Sequence, residues 1–221
     1  MPSLRDVVAG HLIGKRYDDV LGLARKDKRT VRTLMGLLYH EEELVRWRAV
    51  TMFGQMAVAE PGLVAPFIFR LLWSLNEESS VVGWCSAQAL GEIARRNPDL
   101  TKDAIRVVLH FLDDEEVSLP ANRNTYLLAG SIWAIGNLAD AEPALVGEMG
   151  PALVGFLDDP EPQIRALSAW ALGEMRFKAS SHGLERLKDD QAKVEIYLGD
   201  ELVEETVGMA AAKALEKIAG P

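Results

Sequence analysis

The chain has few of the residues that would point to catalysis, metal binding or disulfide bonding. Its 221 residues include one cysteine and four histidines. A single cysteine, Cys85, excludes an internal disulfide and fits a reducing compartment. The histidines are scattered and lack a metal-ligand spacing such as HExxH, so we expect no metal site and no cofactor. Because no histidine lies near Cys85 in sequence, we predict a semi-buried thiol there and not a nucleophile.

The chain also lacks long apolar runs and blocks of basic residues. Its longest apolar stretch, 63–73, is shorter than the ~20 residues of a membrane helix and contains Pro66 and Arg70. The N-terminus does not begin with basic residues followed by an apolar run, so no secretory signal is expected. The formal net charge is −9, opposite in sign to that of a typical non-specific nucleic-acid binder. We therefore predict an acidic cytoplasmic protein that does not enter membranes, and the charge disfavours nucleic acid as its partner.

The sequence contains one motif that occurs five times. It consists of an apolar residue, several small residues and then a motif close to Leu-Gly-x-Ile-Ala. The copies lie at 45–57, 82–94, 127–139, 164–176 and 207–219. The marker glycines of the first four copies are Gly54, Gly91, Gly136 and Gly173, and Glu216 replaces the glycine in the fifth. The markers are 37, 45, 37 and 43 residues apart, which is typical of two-helix repeats.

The segments between the copies complete the predicted repeats. A first amphipathic helix is predicted before each copy, at 30–39, 62–76, 100–112, 143–157 and 180–188. Pro66 and Pro151 predict kinks in two of them. The two longer spacings indicate an insertion at 113–124 and a β-hairpin at 193–206, with strands near 193–197 and 202–206.

The recurring motif resembles HEAT repeats of the type named after phycobilisome lyases. The closest match is Asp-Pro-Glu-Pro-Gln-Ile-Arg at 159–165, followed by Ala-Leu-Gly. The resemblance covers about residues 30–219 and extends to small bacterial HEAT-repeat proteins. It implies an all-α fold, an α-α superhelix of about five helical pairs with the hairpin inserted before the last helix. We expect a single domain over 1–221, in which 1–29 form an N-terminal helical cap and 30–219 the repeats.

The periodicity of each repeat's second helix predicts two opposite faces. With the marker glycine as zero, positions −9, −5, −2, −1 and +2 form a buried stripe. Positions −7, −3 and +1 lie on the far side, which the resemblance places in a concave groove. Four of the five tryptophans fall there. The residues predicted to line a binding groove are Trp47, Arg48, Thr51, Trp84, Gln88, Trp133, Asn137, Trp170 and Glu174.

This tryptophan-rich face predicts a binding function. Exposed aromatic clusters mark binding sites, so we expect a non-catalytic scaffold or adaptor that holds a partner protein or peptide in the groove. The alternative is that the tryptophans pack on one another or beneath a first helix or a loop. Trp73, on a first helix, is expected in the core. Arg46 and Arg165 are expected to bond carboxylates or loop carbonyls.

Other functions stay open at this point. Small HEAT-like DNA glycosylases are similar in length and also carry tryptophan on the concave face, but their essential aspartate has no counterpart at positions −7, −3 or +1. A HEAT-like nucleic-acid-binding protein and a lyase-type protein that binds a flat ligand are further alternatives. The hairpin could also dock a partner by edge pairing. The pattern favours a binding protein over an enzyme.

Overall fold

A computed structural model describes residues 2–75, 85–112 and 124–220. These residues form thirteen α-helices and a two-stranded antiparallel sheet. The chain divides into two compact units, Met1–Ile105 and Arg106–Pro221. The all-α solenoid class with one small hairpin is therefore confirmed, whereas a single domain over 1–221 stays a prediction. Among the described residues, no helix combines the length and apolarity needed to cross a bilayer.

The first unit is entirely helical in its described part. Two helices lie within 1–29, and their role as an N-terminal cap stays a prediction. The Ser3 side chain accepts a hydrogen bond from the Asp6 N–H, and the Asp6 carboxylate accepts one from the Ser3 N–H, which fixes the start of the first helix. The helices are α1 (Leu4–Ile13), α2 (Tyr17–Lys26), α3 (Arg29–Leu37), α4 (Glu43–Ala59), α5 (Pro61–Leu75), α6 (Ser86–Arg96) and α7 (Ala104–His110), which the unit boundary divides.

The second unit combines helices with the hairpin. The predicted insertion at 113–124 lies outside the described residues except for Asn124, whose side chain accepts a hydrogen bond from the Leu127 N–H. The elements that follow are α8 (Thr125–Leu138), α9 (Pro143–Gly147), α10 (Gly150–Gly155), α11 (Pro162–Glu174), α12 (Ser181–Leu187), β1 (Lys193–Leu198), β2 (Glu201–Thr206) and α13 (Val207–Ala219).

The second helices of the repeats are α4, α6, α8, α11 and α13, and most of their predicted stripe is buried. In α4 the five stripe residues are at most 1% exposed: Val45, Ala49, Met52, Phe53 and Met56. The corresponding described residues of α6 and α8 are buried as well. The hydrophobic side of each second helix thus forms the core of its unit, because burying such side chains is the main stabilising contribution to folding.

The marker glycines of the second unit, Gly136 and Gly173, lie where one second helix packs against the next. A Cβ atom at Gly136 would lie 2.5 Å from Cζ3 of Trp170, on α11. A Cβ atom at Gly173 would lie 2.7 Å from the Cα atom of Ala214, on α13. Any side chain at these positions would force the helices apart. The glycines are therefore required by close helix packing within the repeat array.

One predicted helix is broken. The segment expected as a single helix over 143–157 forms α9 and α10, followed by a 3-10 turn at Phe156–Asp158. Pro151 has no N–H to donate to the carbonyl of Gly147, so a continuous helix would lose that hydrogen bond. Gly150 permits close packing at the break, because its added Cβ would lie 2.4 Å from the Phe177 ring. By contrast, α5 continues through Pro66.

The predicted β-hairpin is confirmed. Lys193 pairs with Thr206 at the open end, and Leu198 pairs with Glu201 next to the turn. Gly199 and Asp200 join the strands with φ values of 58° and 68°. Two consecutive positive φ values are those of a type I′ turn, whose twist matches that of antiparallel strands.

Candidate functional site

The second-helix face is defined here as the side of α4, α6, α8, α11 and α13 that carries positions −7, −3 and +1. In the first unit, it is only partly open. Trp47 is partly buried, and its indole N–H donates to the Glu43 carboxylate at 3.3 Å. Thr51 and Gln88 are each 5% exposed. Trp84 lies outside the described residues. In its described part, this face of the first unit therefore carries the partly exposed Trp47 indole beside buried polar groups, and Gln55 is partly exposed as well.

Arg48, predicted to line the groove, has a structural role instead. It is 4% exposed, and its guanidinium donates to the carbonyls of Leu12 and Ile13 at 3.3 and 2.6 Å. These carbonyls end α1, where the last turn has no intrahelical partners for them. The prediction failed because position −6 points between α4 and the N-terminal helices, a contact that the repeat pattern does not contain.

In the second unit the same face holds two stacked tryptophans. Trp133 of α8 and Trp170 of α11 have ring centroids 6.3 Å apart and planes inclined by 24°. Trp133 is only 4% exposed, whereas Trp170 is partly exposed. The other two predicted groove residues of this unit, Asn137 and Glu174, are both partly buried. The tryptophans of neighbouring repeats thus pack on each other, as one of the two sequence alternatives proposed.

The hairpin covers Trp133. Its indole N–H donates to the backbone carbonyl of Tyr197 at 3.0 Å, and the rings of Trp133 and Tyr197 are 6.4 Å apart. The Gln163 side-chain amide donates to the carbonyl of Glu195 at 2.8 Å. The two carbonyls are two residues apart and therefore lie on the same edge of β1. Side chains from α8 and α11 thus bind one edge of an extended strand through its backbone.

Neither the role of Gln163 nor the docking of the hairpin was predicted from the sequence. Gln163 is at position −10, outside the three positions assigned to the face. The hairpin was predicted as an insertion, but its partner surface was not. One clue was available, since Val194, Ile196 and Tyr197 are apolar in a segment too short to bury them alone. All three are at most 6% exposed, packed in the unit.

A small cleft beside Trp170 continues the face toward α13. It has a volume of about 80 Å³ and is lined by Leu198 and four charged side chains. These charges pair within the cleft: Lys217 contacts Glu174 at 2.5 Å, and Lys213 contacts the buried carboxylate of Glu205. Because the four charges compensate, the cleft has no net affinity for one sign of ion.

The repeat arginines have the structural role expected of them. Arg46 donates to the carbonyls of His40 and Glu41 at 2.8 and 3.1 Å. Arg165 donates to the Asp159 carbonyl at 2.7 Å and to the Asp190 carboxylate at 2.7 Å. Burial raises the pKa of Asp190, but the Ala192 N–H and the Arg165 guanidinium outweigh it and lower that pKa below its ordinary value.

Trp73, predicted in the core, is instead 64% exposed. It lies near the end of α5, and its ring centroid is 6.1 Å from that of Phe69, which is 69% exposed. The prediction was wrong because it relied on the apolar character of the whole helix. Val64, Leu71 and Leu75 already supply the buried side of α5.

The chemistry of Cys85 fits a buried thiol. The side chain is 3% exposed, and burial raises its pKa to about 12. A thiol with this pKa carries almost no thiolate at neutral pH, and the thiolate is the nucleophilic form. Over the described ranges, no three side chains of His, Cys, Asp or Glu are grouped as a metal site would require.

The repeated helix pairs with close glycine contacts between successive second helices are those of a HEAT-like repeat protein. The family model described as HEAT-like repeat matches residues 125–175, from the start of α8 to just beyond α11. The chain belongs to this family together with an uncharacterized protein of Archaeoglobus fulgidus. The two are 30% identical over 174 residues, which cover 77% of this chain and 87% of that protein.

Solved structures show the same fold at low sequence identity. A crystallised engineered protein aligns with a TM-score of 0.56 and 17% identity, covering 99% of each chain. A designed armadillo repeat protein aligns with a TM-score of 0.54 and 19% identity, covering 97% of this chain and 91% of its own. At such identities the similarity establishes the repeat fold alone.

Proposed function

We propose that this protein is a non-catalytic scaffold that binds an extended segment of a partner protein on its second-helix face. The observation that carries the proposal is the docking of β1 in the second unit. There, Trp133 and Gln163 donate to the carbonyls of Tyr197 and Glu195. Backbone carbonyls are present in every polypeptide, so donors of this kind suit recognition of an extended chain.

The first unit carries the same face on α4. Trp47 and Gln55 lie on one side of α4, eight residues apart, and both are partly exposed. An indole supplies a large apolar surface, and a primary amide supplies both a donor and an acceptor. We therefore assign the binding position in this unit to Trp47 and Gln55.

The fold comparisons and the charge agree with this proposal. One similar structure is described as a computationally designed armadillo repeat protein for modular peptide recognition; it aligns with a TM-score of 0.50 and 18% identity. A net charge of −9 disfavours phosphate backbones as the ligand. A polypeptide partner, as proposed, is consistent with both points.

A peptide selection would test the proposal. Peptides selected on the full chain from a random library would be measured against Trp47→Ala by fluorescence anisotropy. We expect at least tenfold weaker binding, since a central tryptophan at an interface commonly contributes ~2 kcal/mol or more. Trp73→Ala is the matched control, because it removes an exposed tryptophan from α5.

Two results would contradict the proposal. One is a panel of selected peptides whose binding is unchanged by Trp47→Ala while the far-UV circular dichroism shows an intact fold. The other is tight binding of labelled duplex DNA that weakens steeply between two salt concentrations, because this dependence is the mark of phosphate contacts.

A further inference from the structure

The hairpin is held rigidly at its base and along one edge. At the base, the Val207 N–H donates to the Ala192 carbonyl at 3.0 Å and the Gly208 N–H to the Asp190 carbonyl at 2.9 Å. Along β1, Trp133 and Gln163 bind the outward carbonyls, as described above. The hairpin is therefore fixed to the helices through β1 and through its base, and β2 forms the opposite edge.

The register fixes which backbone groups of β2 point outward. In a hairpin with a two-residue type I′ turn, the pair next to the turn, Leu198 and Glu201, is hydrogen-bonded, and alternate pairs follow the same pattern. The pairs of Tyr197 with Leu202 and of Glu195 with Glu204 are then non-bonded. This pattern agrees with the hydrogen bonds that the Tyr197 and Glu195 carbonyls accept from Trp133 and Gln163. Leu202 and Glu204 consequently direct their N–H and C=O groups away from β1.

This outer edge of β2 is accessible and acidic. Glu201 and Glu204 are exposed, and Leu202 and Val203 are partly exposed. The hairpin over 193–206 contains five acidic residues and one lysine, Lys193, which pairs with Glu204 at 3.0 Å. Charged residues on an edge strand discourage pairing with other acidic or neutral strands. The same charges favour a strand that carries lysine or arginine.

We infer that the outer edge of β2 is a second interaction surface, which accepts an extended, lysine- or arginine-bearing segment of a partner protein as a third strand. The Leu202 and Glu204 backbone groups supply the hydrogen bonds, and the neighbouring glutamates select basic side chains. Because β1 and the hairpin base are fixed, the edge is presented in a strand conformation before binding, which lowers the ordering cost of association. This surface is separate from the second-helix face.

The test is a peptide selection on the full chain, after which each selected peptide is measured against Glu204→Pro. Proline at 204 removes an outward N–H and leaves the β1–β2 ladder intact, because proline is tolerated where the edge N–H faces solvent. We expect peptides with alternating lysine or arginine, at least tenfold weaker binding to Glu204→Pro, and unchanged binding to Trp47→Ala. Glu148→Lys is the control for net charge, since Glu148 is exposed and far from the hairpin in sequence.

Amide hydrogen exchange of the wild-type chain gives a second readout that does not depend on how the proline variant folds. A selected peptide should slow exchange of the Leu202 and Glu204 amides at least tenfold. The inference would be overturned by selected peptides without basic enrichment, by equal binding to Glu204→Pro, or by peptide binding that leaves these two amides unprotected. Equal weakening by Glu148→Lys would also overturn it, since it would indicate a non-specific charge effect.

Discussion

Replacing Gly173 with alanine should destabilise the protein, because the added methyl group would overlap the next repeat. Its Cβ would lie 2.7 Å from the Cα and 2.8 Å from the Cβ of Ala214 on α13. Both atoms belong to a packed helix and cannot rotate away, so α11 and α13 must separate. Overpacking of this kind costs ~1–3 kcal/mol. The higher helix propensity of alanine offsets about 1 kcal/mol of this cost, which leaves a net loss of up to about 2 kcal/mol.

Gly22→Ala is the matched control. Gly22 lies inside α2, and a Cβ atom there would meet no atom within 4 Å. The higher helix propensity of alanine is then not offset by a steric clash, so the variant should be more stable by ~0.5–1 kcal/mol. Urea and thermal unfolding followed by far-UV circular dichroism would measure both, and 1 kcal/mol corresponds to a shift of ~2–4 °C at this chain length. If Gly173→Ala were as stable as Gly22→Ala, close packing would not explain the recurring glycine.

Three further perturbations follow from the structure. Arg48→Met should destabilise the chain by about 1.5–3 kcal/mol in urea unfolding, since it leaves the last carbonyls of α1 without a charged donor. The pKa of Asp190 is lowered in the folded state, so the stability it contributes is present above its unfolded pKa and lost as the pH falls through the folded value. Asp190→Asn should flatten this acid dependence, and an unchanged pH profile of unfolding would contradict it. Cys85 should resist alkylation at neutral pH in the native chain and react once urea unfolds it; rapid native labelling would contradict its burial.

The repeat fold could be predicted from the sequence because it depends on local patterns that recur. The buried stripe follows from the helical period, and the hairpin follows from Gly199 and Asp200 between two β-rich runs. The break between α9 and α10 was harder to predict, since Pro151 is compatible with a helix start as well as with a kink. In the structure, the helix breaks at Gly150, which packs closely against the Phe177 ring.

The candidate site was less predictable, because it depends on contacts between segments distant in sequence. Trp133 and Tyr197 are 64 residues apart, and their contact arises only when the hairpin folds back onto α8. Arg48 was assigned to the groove because it adjoins Trp47, but its partners are the carbonyls at the end of α1. Angular position on one helix identifies the exposed side of an isolated repeat. It does not show which other segments will cover that side.

Site-specific photo-crosslinking from position 47 would show directly whether a partner polypeptide lies against the second-helix face. A photoreactive phenylalanine analogue would replace Trp47 in one variant and Trp73 in another, and cross-linked products from an extract of the native cell would be identified by mass spectrometry. We expect position 47 to form cross-links to an extended segment of a discrete partner polypeptide, and position 73 not to give the same product. Cross-links from position 47 to nucleic acid alone, or the same polypeptide captured equally from position 73, would contradict this expectation.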